Sequence, residues 1–178
     1  ALSCDVNDQE LMLAACIVQG EVHHLQGRTK TTRRWLERAL AIAEPLDIGT
    51  NEVFAADPQV MLHGMLAIEL VRSGLVEQAR IHLQQARARA QALRQPMTWL
   101  VAAWQEVLIE VRMGNHMRVA ALADDMQALV DEYSLALGRT ACRWWRGWAD
   151  ARNGAPRDGY RRVGEACEEH TGLGMRAA

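Results

Sequence analysis

The chain has 178 residues, a formal net charge of -2, 49% hydrophobic and 24% charged residues. That length supports one core or one short run of repeats, and the composition excludes a disordered chain. No stretch approaches the roughly 18 apolar residues of a membrane span, nothing reads as a signal peptide, and the slightly acidic balance argues against a dedicated nucleic-acid binder.

From the N-terminus onward, segments rich in Ala, Leu, Arg, Glu, Gln and Met alternate with Gly and Pro, and the reading is all-α with no β-sheet. The predicted helices are 7–26, 29–45, 58–73, 75–95, 97–113, 115–133, 137–153 and 156–170. Asp57-Pro58 reads as an N-cap followed by a first-turn proline; Pro96 and Pro156 fit the same first-turn role, and Pro45 closes the second helix. Gly27, Gly74, Gly114 and Gly154 stand where one apolar-periodic run stops and the next starts, at separations of 47, 40 and 40 residues. The longer first gap holds a loop from Asp47 to Asp57.

A fixed period of this size is the mark of a helical solenoid. Aligned on the four glycines, the chain carries Gly20, Ala67, Val107 and Gly147 seven residues before the turn. It carries Thr32, Ala79, Val119 and Gly159 five after, Leu36, Leu83, Ala123 and Val163 nine after, and Ala39, Ala86, Met126 and Ala166 twelve after. Small residues recur where two helices would cross closely, and apolar ones where the second helix would face the core. Each unit is a helical hairpin that cannot bury its apolar face alone, so the units must stack. The third unit is degenerate, with Val107, Val119 and Met126 in place of small residues.

This pattern resembles the tetratricopeptide (TPR) repeat over nearly the whole chain. The first unit is similar at Gly20, Gly27, Leu36, Ala39 and Pro45, the second at Ala67, Gly74, Ala79, Leu83 and Ala86, and the fourth at Gly147, Gly154 and Ala166. The spacing of 40 exceeds the standard 34 of that repeat, an excess worth about 9 Å of helix. The resemblance implies an α-α superhelix of about four TPR-like hairpins and about eight helices, in one domain over 1–178 with units at approximately 7–45, 58–95, 97–133 and 137–171. The wording around Asp57-Pro58, Gly74-Leu75-Val76-Glu77-Gln78-Ala79-Arg80 and Arg146-Gly147-Trp148-Ala149 looks like the C-terminal repeats of large bacterial signal-transduction ATPases. The types resembled are transcriptional activators of the maltose-regulon type or with a winged helix, and class III adenylate/guanylate cyclases. The chain opens on Ala1, ends on Met175-Arg176-Ala177-Ala178, and reads as a fragment of such a protein.

In the resembled fold the first helix of each hairpin lines the concave surface. Two residues before each turn glycine stand Leu25, Arg72, Arg112 and Arg152; six before, Glu21, Ile68, Leu108 and Trp148; ten before, Ile17, Gly64, Trp104 and Trp144. Arg72, Arg112 and Arg152 beside Trp104, Trp144 and Trp148, with Glu21 and His24, would make a groove for a peptide or ligand carrying carboxylate or phosphate. The other reading places the arginines in solvent, favoured at helix C-termini by the dipole, and the tryptophans in the core. Glu21 and His24 have the i, i+3 spacing of carboxylate-bridged metal helices, without a second Glu-x-x-His; the plainer reading is a polar face. The methionines, among them Met12, Met61, Met113, Met117 and Met126, read as core fillers, with an adaptable interface as the alternative. Arg33-Arg34 with Glu37-Arg38 reads as a solvated face, and Arg157, Arg161 and Arg162 pair with Glu165, Glu168 and Glu169. Cys4, Cys16, Cys142 and Cys167 have no C-x-x-C or zinc spacing and are expected as reduced thiols, the last three in apolar helical surroundings.

No phosphate loop, nucleophile elbow or zinc-protease motif is present. The expected function is therefore a non-catalytic, cytoplasmic regulatory or interaction domain with no cofactor and no bound metal. Its partner would be a protein or peptide, a small inducer, or a second copy through the end helices; neither nucleic acid nor membrane is expected. A free-standing adaptor is the alternative, and a helical metal enzyme around Glu21 and His24 the remote one.

Overall fold

The computed structural model describes residues 2–172, without the side chains of 2–7, 136, 137 and 172. The Cys4 thiol and Met175 lie outside the described residues. Eight helices and no strand are present among the described residues: α1 (Leu2–Leu25), α2 (Thr29–Leu46), α3 (Pro58–Arg72), α4 (Val76–Leu93), α5 (Pro96–Arg112), α6 (His116–Glu132), α7 (Ala136–Arg152) and α8 (Pro156–Gly172). The fold is an all-α helical repeat. α1 starts five residues ahead of the expected point, and every other boundary falls within two residues of its expected place.

The periodic glycines make the turns within hairpins. Gly27, Gly74, Gly114 and Gly154 all have φ between 71° and 91°, a left-handed conformation that costs glycine nothing. The residue after each donates its N–H to the carbonyl five positions back, as Leu75 does to Leu70 at 2.9 Å and Asn115 to Glu110 at 2.9 Å. This satisfies carbonyls that a helix end leaves without partners. The links between hairpins turn at Asp47, Arg94 and Ser134 (φ 43°, 52° and 53°). These non-glycine residues carry no marker that sequence periodicity would detect. Pro45 lies in the last turn of α2, which continues to Leu46 before Asp47 turns the chain.

The molecule comprises two compact units, residues 1–105 and 106–178, with the boundary inside α5. In the first, α1 packs on α2, α2 on α3 and α3 on α4. Leu13, Cys16 and Ile17 of α1 meet Leu36, Ala39 and Ala43 of α2, Leu62 and Leu66 of α3, and Phe54. A second cluster joins Val60, Ala86, Ala90 and Ala102. In the second unit α6 and α8 pack on α7, and Val119, Leu122, Met126, Val130, Cys142 and Ala149 are buried. Each large apolar side chain so buried contributes about 1.5–3 kcal/mol.

Of the sixteen positions aligned on the turn glycines, only Val163 is not buried. Val107, Val119 and Met126 of the degenerate unit are fully buried, so larger residues take the positions that glycine, alanine and threonine hold elsewhere. Gly147 and Gly159 let α7 and α8 approach closely: a Cβ on Gly159 would lie 2.4 Å from the Gly147 carbonyl oxygen. The methionine reading is corrected in part. Met126 is core, but Met12, Met113 and Met117 are 48%, 45% and 67% exposed, Met113 in the turn after α5. Cys16 and Cys142 are buried free thiols, and burial raises the Cys142 pKa to about 11. Cys167 is exposed, against the apolar surroundings expected for it.

Candidate functional site

The first unit buries Thr32, Asp57, His63, Glu69, Thr98 and Gln105. Asp57 is fully buried and caps α3 by accepting from the Val60 N–H at 3.0 Å. Its backbone N–H donates to Thr98 Oγ1 at 3.1 Å. Arg89 of α4 grips both carboxylate oxygens of Asp57 at 2.8 Å and reaches Asp47 at 2.6 Å. One guanidinium therefore clips the two ends of the Asp47–Asp57 loop, and these carboxylates raise its pKa. Within the loop Asn51 Oδ1 accepts from the N–H groups of Val53 and Phe54, both at 2.9 Å, and Phe54 is buried.

Beside this clip, His63 of α3 and His82 of α4 meet through their Nδ1 atoms at 2.9 Å. Burial, then the neighbouring His82 and Arg89, lower the His63 pKa from 6.5 to about 4, with Asp57 opposing. Burial lowers His82 also.

A third cluster takes in two residues expected in the groove. Glu69 of α3 is fully buried. Its Oε1 is 2.5 Å from His24 Nδ1 and accepts from Arg72 Nη1 at 3.0 Å. Arg72 is exposed at the end of α3, with one guanidinium nitrogen, Nη1, engaged by Glu69. His24 links α1 to α3, while Glu21 stays on the exposed side of α1. Among the described residues no three or more His, Cys, Asp or Glu side chains gather as metal ligands. Glu69 gave no sequence signal, since a glutamate one turn before an arginine looks like a surface pair.

The remaining expected residues lie on α5 and α7. Arg112 is exposed and donates to the Leu108 carbonyl of its own helix at 2.8 Å, as the dipole reading anticipates. Trp104 is 38% and Trp144 39% exposed, and none of the six tryptophans is buried. This corrects the reading of the tryptophans as core: Trp104 and Trp144 are exposed and Trp148 is half-buried. In the second unit Trp144, Trp148 and Arg152 occupy successive turns of one α7 face. Trp144 stacks on Trp145 with ring centroids 6.2 Å apart and planes 26° from parallel. The Arg152 guanidinium lies 5.5 Å from the Trp148 ring centroid. On the same helix Arg146 bridges Asp124 and Asp150 and has its pKa raised by them. Chemically the face offers flat apolar area beside a guanidinium.

No known protein family matches the chain, and no curated protein is detectably similar to it.

Proposed function

We propose that this chain is a non-catalytic, cytoplasmic interaction module, the regulatory arm of a larger bacterial transcriptional regulator or signalling ATPase. It would bind a protein or peptide partner, an inducer or another copy of itself, and bias the parent's active state by preferring one state over another. The observation that supports this reading is the α7 face, where Trp144 and Trp148 remain partly exposed beside Arg152. Partly exposed indoles next to an arginine have the composition of interface hot spots. No helix among the described residues is long and apolar enough to cross a membrane.

Selection from a random peptide display library against the whole chain tests this. Selected peptides are expected to be rich in Asp and Glu. They should lose binding to a Trp144→Ala, Arg152→Ala variant of unchanged melting temperature, and Arg112→Ala should add to the loss. Peptides that bind that variant as tightly as the parent chain would exclude the face.

A further inference from the structure

We propose that a cavity on α2 is a separate ligand site, and that it takes a small organic phosphate monoester. The cavity measures about 240 Å³ and is lined by Thr31, Arg34, Trp35 and Arg38. These side chains are i, i+3 and i, i+4 neighbours, so two adjacent rows run along the helix, Thr31–Trp35 and Arg34–Arg38. Trp35 packs on the α1–α3 core on one side, which gives the cavity a fixed apolar wall. The Arg38 guanidinium lies 5.7 Å from the Trp35 ring centroid, so it is already drawn towards the cavity.

The charge around this cavity is unbalanced. Residues 28–38 hold Arg28, Lys30, Arg33, Arg34 and Arg38 against Glu37 alone, and the first turn of α2 carries no acid. Glu37 is engaged by Arg33 at 3.4 Å. Among the described residues neither Arg34 nor Arg38 has a carboxylate partner. Like charges four residues apart destabilise a helix, and an anion between them reverses the sign of that interaction.

The geometry selects the kind of anion. One carboxylate is satisfied by one guanidinium fork. A phosphate monoester presents three terminal oxygens and close to two charges, enough for both arginines and the Thr31 hydroxyl. The volume leaves space for a small organic body against Trp35, yet falls below the roughly 300 Å³ at which drug-sized pockets begin. Lining by two turns of one helix favours a compact ligand over a peptide.

The probe is phenyl phosphate titrated into the whole chain, followed by NMR of the tryptophan indole and arginine side-chain signals, with benzoate and inorganic phosphate in parallel. Saturable binding with Kd of the order of 1 mM is expected. Benzoate and inorganic phosphate should bind several-fold more weakly, and added sodium chloride should weaken all three. An Arg34→Gln, Arg38→Gln variant should bind about tenfold more weakly or worse, with its melting temperature unchanged or raised. Trp144→Ala should have no effect, which separates this site from the α7 face. Absence of saturation, equal binding of benzoate, or binding that survives the double substitution overturns the proposal.

Discussion

The two units use the same hairpin period but hold their helices together differently. The first buries whole carboxylates. Asp57 and Glu69 are inaccessible to solvent, and each is met by an arginine or histidine far away in sequence. The second buries Glu106 against Arg118 only twelve residues on, and places ion pairs such as Arg143–Glu169 and Arg161–Glu165, both 2.8 Å, at the surface. Its α7–α8 contact depends instead on the absence of side chains at Gly147 and Gly159.

This difference can be tested by disrupting each device in turn. The largest effect is expected from Arg89→Ala, which leaves the Asp57 carboxylate buried without its partner. Loss of about 3 kcal/mol is expected in urea unfolding. Asp57→Asn combined with Arg89→Ala should recover part of it, because the buried charge is then gone. Next comes Gly159→Ala. Its Cβ would press on the Gly147 carbonyl and the Ala151 backbone nitrogen, at 2.4 and 2.6 Å, and backbone must shift. A loss of about 2 kcal/mol is expected. Gly20→Ala meets only the tip of Leu36 and gains helix propensity, so at most about 1 kcal/mol is expected from the same measurement.

The pH dependence is confined to the first unit. Folded His63 protonates near pH 4, and the unfolded chain near 6.5. The unfolded state therefore binds more protons between these values, so stability is highest above pH 6.5 and falls as the pH drops towards 4. A decrease of about 2 kcal/mol at most between pH 7 and pH 5 is expected from urea midpoints. His63→Gln should flatten that slope, with the remainder carried by His82. An unchanged slope would mean that the ring is not sheltered.

The hairpins were legible because their turns need a left-handed residue at a fixed period, and glycine marks that need in the sequence. The same glycines gave the register of the buried face, down to Ala86, Met126 and Ala166. The candidate sites were less legible. Arg152, Trp144 and Trp148 share a face because their spacing of four is a property of any helix. The contact between His24 and Glu69 gave no local signal, because the two lie 45 residues apart in the chain. The tryptophans looked like core by residue type, yet Trp104 and Trp144 are exposed.

By itself the sequence determined the all-α class, the eight helices and the residues that face inward, since these follow from propensity, turn chemistry and a 3.6-residue period. Only the tertiary structure decided which charges are buried, which arginine closes the Asp47–Asp57 loop, and which indoles remain partly in solvent. Those outcomes depend on contacts between helices distant in sequence, where one desolvated carboxylate selects its partner by proximity in space and carries no local pattern to announce it.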